Sequence, residues 1–303
     1  MPLLKIIILG IVQGLAELLP VSSSAHVVVA EKLLGLDPSS PAMTLLLVML
    51  HTGTMFAVIV YFLPQWRITY FQDVPAFKKF AVRVIVATAL TAVVGEIIIK
   101  IIEKTLFRDV PHAQIEDLFS HLEFIAPALA GAGLLILIAG LSERRHSGQA
   151  PAGTNGAAAA VARTATETHD LGMAQAAVIG AVQGLCLPFR GFSRSGATIS
   201  TAMLLGVMKS RAEAFSFALA VVLTPPVVVR ESLRLIQASR ADPTTHLGSI
   251  AISSMFGAVV AFFAGLVALK WLSRWLEAGR WYLFGIYCLI AAAGVMALHR
   301  VGY

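Results

Sequence analysis

Gln13-Gly-Leu-Ala-Glu17-Leu-Leu-Pro20-Val-Ser22-Ser23-Ser24-Ala-His26 interrupts an otherwise apolar stretch that runs from residue 3 to 34. Pro20 removes a backbone donor and clashes with the preceding turn, so a helix entering this segment breaks there. Backbone freed inside a bilayer is tolerated only where protein or a wet cavity satisfies it. The segment therefore reads as a broken, re-entrant helix with a candidate site at its break. A second apolar stretch, 171 to 209, is interrupted in the same manner by Pro188-Phe-Arg190-Gly191-Phe-Ser193-Arg194-Ser195-Gly196.

The two interruptions are copies of one pattern. Gly10, Val12, Gln13, Gly14 and Leu15 recur as Gly180, Val182, Gln183, Gly184 and Leu185, each pair 170 residues apart, and Ser23 meets Ser193 at the same spacing. Each break is followed by three apolar stretches close to the roughly 20 residues that a spanning helix needs. They are 43–62, 82–102 and 124–141 after the first break, and 213–230, 250–270 and 281–300 after the second. One unit is thus a re-entrant helical hairpin plus three transmembrane helices, and an odd number of crossings inverts the next unit. The expected fold is an all-α polytopic membrane protein with an inverted-topology repeat. Residues 1–303 form a single membrane domain: repeat 1 over about 1–141, a cytoplasmic linker over about 142–170 and repeat 2 over about 171–303. Within the linker, 146–169 carries Gly153-Thr-Asn-Gly156 and a run of alanines, a composition without chemistry.

Composition supports bilayer as the solvent. Of 303 residues, 57% are hydrophobic and 13% charged, and the mean hydropathy is +0.81; soluble domains carry nearly twice that charged fraction. The net charge of +6 is scattered between apolar segments and makes no stripe for nucleic acid. Cys186 and Cys288 have no partners at metal or disulfide spacing. Residues 1–25 imitate a signal peptide, but Gln13 and Glu17 fall where its apolar core or cleavage region would lie, so the segment reads as retained. Arg67, Lys78 and Lys79, and likewise Lys270, Arg274 and Arg280, mark cytoplasmic loops. The acidic stretch 103–123 and both termini then face the other side.

Polar groups at the breaks define the chemistry. A carboxylate in an apolar segment is costly and defaults to function; Gln13 and Glu17 share a helical face and are a plausible anchor for a divalent cation, which takes its remaining ligands from phosphates. The bland alternative is that both close the helix break by bonding backbone. Ser22, Ser23 and Ser24 stand where an N-cap belongs, and His26 follows Ser23 by three residues, within reach of its hydroxyl or of a bound phosphate. Ser193, Ser195, Gly196 and Thr198 open the matching half-helix, whose positive end favours anions, and Arg194 adds a planar fork suited to phosphate. His51 with Thr52 and Thr54, the Glu96–Lys100 pair and Arg230 read as structural. A phosphate or diphosphate site at two converging helix ends serves either an enzyme or a transporter.

At these motifs the chain resembles the bacterial undecaprenyl-diphosphate phosphatases of the bacitracin-resistance type. Their first motif, Glu/Gln-x-x-x-Glu followed by Pro-Val-Ser-Ser and a His, is seen as Gln13 to Glu17 and Pro20 to His26. The second, Pro-Gly-x-Ser-Arg-Ser-Gly-Ala-Thr, is seen as Arg190 to Thr198, with Arg190 in place of the usual Pro. The resemblance implies a multi-pass protein of the bacterial inner membrane, with possible homodimers, that hydrolyses an isoprenyl diphosphate lipid with a divalent cation, Mg²⁺ or Ca²⁺. It implies catalytic roles for Glu17, Ser23, His26 and Arg194, metal binding by Gln13 and Glu17, and phosphate binding by Ser22, Ser193, Ser195, Gly196 and Thr198. Ser23 activated by His26 is the expected nucleophile, and a metal-activated water is its rival; a transporter of phosphate or a flippase of the lipid is the alternative.

Overall fold

The computed structural model describes residues 2–36, 41–106, 121–148, 171–241 and 247–302. Their helices are, in chain order, α1 (Leu3–Leu18), α2 (Ser23–Leu33), α3 (Pro41–Thr69), α4 (Val74–Leu106), α5 (Leu122–Gly148), α6 (Met173–Cys186), α7 (Arg194–Leu204), α8 (Lys209–Ala241), α9 (Leu247–Glu277) and α10 (Tyr282–Arg300). Six of them, α3, α4, α5, α8, α9 and α10, are long and apolar enough to cross a membrane. Five of the six expected spans fall inside these helices, and the sixth, 281–300, begins one residue before α10. Helix α8 runs on through Pro225–Pro226. Most of the linker, 149–170, and the acidic residues Asp109, Glu116 and Asp117 lie outside the described residues.

The four short helices form two broken pairs. Helix α1 stops where Leu19 turns extended, at φ −80° and ψ 152°, because the proline that follows disfavours helical backbone in the residue before it. The chain resumes as α2 after Ser22, whose φ of 68° makes it the one non-glycine residue with positive φ among the described residues. In the second pair, α7 starts on Ser193, whose hydroxyl accepts the Gly196 N–H at 3.2 Å. The turn before it needs Gly191: its φ is +103°, and a Cβ there would lie 2.4 Å from the Ile125 carbonyl oxygen of α5.

Helix α1 packs on α9, and α6 packs on α4. In water-free surroundings such contacts depend on small residues that let backbones approach. A Cβ on Gly14 would come within 2.6 Å of the Ala261 oxygen and of the Ala264 side chain, and one on Gly184 within 2.8 Å of the Thr91 oxygen and the Val94 side chain. A Cβ on Gly180 would meet the Ala87 oxygen at 2.2 Å, and Thr91 donates its hydroxyl to the Gly180 carbonyl at 2.9 Å. Helices α5 and α10 meet in the same way through Gly133 and Gly285. Buried aromatic contacts complete the interior: Phe62 of α3 stacks with Phe217 of α8 at 5.3 Å between ring centroids, and the buried Trp281 donates to Ser200 of α7 at 2.9 Å. Outward faces carry large exposed apolar side chains such as Ile85, Phe263 and Ile290, as lipid-facing surface requires.

Candidate active site

The two breaks meet. Ser195 of α7 donates to the Leu19 carbonyl at 3.3 Å, the Gly191 N–H donates to the Ser24 hydroxyl at 3.2 Å, and Cys288 of α10 donates to the Pro20 carbonyl at 3.4 Å. Between them lies a cavity of about 270 Å³ lined by Glu17, Ser22, Ser23 and Ser24 from the first break, by Arg190, Ser193, Arg194 and Ser195 from the second, and by His51 of α3.

Glu17 is the hub. Its Oε1 accepts Arg194 Nη2 at 2.5 Å, and its Oε2 accepts the Ser23 hydroxyl and the Gln13 amide at 3.2 Å. One carboxylate at the end of α1 therefore joins the hydroxyl that opens α2 to the guanidinium that opens α7. The Glu17 and Arg194 side chains are only 14% and 26% exposed, so their attraction is screened less than at a surface and each depends on the other for compensation. The pair presents the anchored serine and a fork of N–H donors to the same cavity. Arg190 lines the cavity as well, and its charge acts on the buried Glu31 of α2.

The remaining sequence-expected residues divide by position. Ser22 shares a hydroxyl contact of 3.2 Å with Ser24 and makes no side-chain cap, which leaves the α2 N-terminus open to an anion at the cavity wall. Gln13 sits behind Glu17, almost fully buried. Ser193 lines the cavity and caps α7 through its hydroxyl oxygen, so the Gly196 N–H is already taken. Thr198 lies behind the cavity wall: it is fully buried, donates to the Arg194 carbonyl at 2.8 Å and meets the Ser216 hydroxyl at 2.5 Å.

His26 does not reach Ser23. Its Nδ1 donates to the Ser22 carbonyl at 2.8 Å, and its Nε2 meets the Tyr287 hydroxyl at 2.7 Å, with the two rings stacked at 5.7 Å. The expectation that His26 activates Ser23 gives way to a direct Ser23–Glu17 bond, because the backbone turn at Ser22 offers the ring its own carbonyl, four residues back.

His51, read from the sequence as structural, lines the cavity. Its Nδ1 donates to the Leu47 carbonyl at 2.8 Å, and its Nε2 lies 3.8 Å from Glu17 Oε2. The signal was available, since an ionisable group within a span is a functional hypothesis by default; it was outweighed by the neighbouring Thr52 and Thr54, which do bond backbone carbonyls. Glu96 and Lys100 form their expected pair at 3.1 Å, both well exposed and away from the cavity.

Residues 6–294 match the family model described as bacitracin resistance protein BacA. The chain is similar to undecaprenyl-diphosphatase 2 of Acinetobacter baylyi, with 54% identity over 98% of each chain. It is also similar to the undecaprenyl-diphosphatase of Desulfatibacillum aliphaticivorans, with 31% identity over 98% of this chain and 99% of the relative. A third, from Desulfosudis oleivorans, is 33% identical over 94% of each.

Proposed function

We propose that this chain, which belongs to the bacitracin resistance protein BacA family, hydrolyses undecaprenyl diphosphate to undecaprenyl phosphate and inorganic phosphate at the cavity between its two breaks. The observation that carries the site assignment is Glu17, bonded at once to Ser23 and Arg194. The relatives' shared name supplies the substrate, and the cavity supplies the chemistry: a hydroxyl whose proton already points at a carboxylate, and cationic donors for phosphate oxygens.

Ser23 Oγ attacks the terminal phosphorus as its proton passes to Glu17 Oε2. The anhydride P–O bond breaks, the lipid monophosphate leaves with the bonding pair, and Glu17 returns its proton to the departing phosphate oxygen. Water then cleaves the phosphoserine, its proton going to the departing serine oxygen, and phosphate is released. Arg194, the open α2 N-terminus and the hydroxyls of Ser22 and Ser193 hold the phosphate oxygens, because phosphoryl transfer is served mainly by positioning and charge neutralisation. The rival is direct attack by water, with Glu17 again taking the proton.

A divalent cation fits the residues present. Glu17 is the single carboxylate among the cavity's lining residues and stands among serine hydroxyls, an oxygen-rich set that suits a cation whose other ligands are substrate phosphates. Glu17 with the Gln13 amide would hold it. When bound, it supplies further neutralisation of phosphate charge.

The two halves form an inverted repeat in this reading. It is supported by the glycine contacts, since the partners of Gly184 on α4, namely Thr91, Val94 and Gly95, and those of Gly14 on α9, namely Ala261, Ala264 and Gly265, are themselves 170 residues apart. The protein then sits in the bacterial inner membrane with both termini outside the cytoplasm. The cavity is assembled within one chain and needs no second copy.

Phosphate release in detergent tests the reading, because transport is impossible there. The purified chain releases one phosphate per undecaprenyl diphosphate, and rapid quenching traps phosphate on Ser23. No release from the wild type contradicts the phosphatase; full turnover by Ser23→Ala contradicts the covalent route and leaves direct attack by water.

A further inference from the structure

His51 lines the cavity wall, and the mechanism above leaves it without work. It comes from α3, 34 residues after Glu17 in sequence, and it faces the same carboxylate oxygen that accepts the Ser23 proton. Its Nδ1–H is committed to the Leu47 carbonyl at 2.8 Å, which fixes the neutral ring as the tautomer whose lone pair is on Nε2. That lone pair and Glu17 Oε2 confront one another at 3.8 Å. Two acceptors in this arrangement repel unless something positive sits between them, and the separation exceeds a hydrogen bond.

We infer that His51 is a direct nitrogen ligand of the divalent cation held by Glu17, and that this nitrogen shifts the site's preference from Ca²⁺ towards transition ions, Mn²⁺ among them. Bonds of about 2.0–2.2 Å to a nitrogen and a carboxylate oxygen, the lengths found at zinc sites, reach across the gap. The second ring nitrogen is placed as a metal-bound histidine's usually is: it donates to a backbone carbonyl, which orients the ring and makes its other nitrogen a better donor. Selectivity follows from ligand type, since Ca²⁺ takes oxygen ligands, whereas first-row transition ions also accept an imidazole nitrogen. The inference rests on reading the cavity as a phosphate site that takes a cation.

The test uses the untagged full chain in detergent with Mn²⁺ as the probe, in the presence of inorganic phosphate. Pulsed electron paramagnetic resonance of the bound ion should show nitrogen modulation from a coordinated imidazole. Labelling the wild type with ¹⁵N-histidine should change that modulation, and H51Q should abolish it. The variant should also bind Mn²⁺ about 10-fold or more weakly, the scale seen when support for a metal site is lost, while its Ca²⁺ affinity changes by less than about 2-fold, calcium being an oxygen-seeking ion. No nitrogen modulation in Mn²⁺-loaded wild type overturns the inference, even where H51Q does not fold, as does modulation that persists in H51Q. A protonated His51 bridging to Glu17 gives the first of these negative results. Phosphate release measured in parallel reports separately on the phosphatase reading, which fails when the wild type releases none.

Discussion

Ser22 carries the sharpest local constraint in the site. With φ at 68° it holds a backbone conformation that costs a side-chain-bearing residue about 1–2 kcal/mol, and its position between Pro20 and α2 turns the Ser23 hydroxyl onto Glu17. Glycine removes that cost and a β-branched residue raises it. Ser22→Gly should therefore melt no lower than wild type in detergent, and Ser22→Val clearly lower; a melting point for Ser22→Val equal to wild type would show that the turn is not strained. The same turn explains which residues were legible beforehand. Glu17, Ser23 and Arg194 declare themselves by chemistry, as a charge, a hydroxyl and a guanidinium inside apolar stretches. The direction of His26 does not, because a face drawn for a regular helix omits a positive φ that presents the Ser22 carbonyl to the ring. His51 could be named from sequence but not placed, since its approach to Glu17 depends on how α3 lies beside α1.

At the scale of the helices, the glycine contacts hold the breaks in position. Gly180 presses on the Ala87 backbone, where an added Cβ would stand 2.2 Å from the carbonyl oxygen, whereas a Cβ on Gly294 of α10 would meet nothing within 4 Å. Overpacking of this kind costs about 1–3 kcal/mol, while alanine for an open helical glycine is a gain in propensity. Gly180→Ala should thus lower the melting temperature and displace α6, with loss of activity; Gly294→Ala should do neither. Equal behaviour of the two variants would show that close backbone approach is not what seats α6. The recurrence of Gly10 and Gly14 as Gly180 and Gly184 was visible in the sequence as spacing. Which helices they contact was not, because a repeat records likeness between segments and says nothing of the surface each one meets: α1 lies on α9 and α6 on α4, each across to the other half.

The whole molecule was the most legible. A bilayer demands runs of apolar residues, and six such runs became six long helices, while the two runs with proline and charge became the broken pairs. Orientation rests on the basic loops. Lys78 and Arg280 are exposed beyond the ends of α3 and α9, and Lys104 is exposed at the far end of α4. Both native cysteines are buried, which leaves a quiet background for labelling. In intact cells, cysteine at Lys104 should react with a membrane-impermeant thiol reagent, and cysteine at Lys78 or Arg280 only once the inner face is opened. The reverse pattern would invert the topology.

The meeting of two broken helices around one anionic headgroup is tested most directly by phosphate release from undecaprenyl diphosphate in Glu17→Gln, Arg194→Ala and the double variant. Loss of a preorganised group that balances transition-state charge costs about 10²–10³-fold, and groups that act as a unit do not add. Each single variant should fall by that factor, and the double variant should be little worse than either. Single variants that hydrolyse the lipid at near wild-type rates would contradict a shared site built from both halves of the chain.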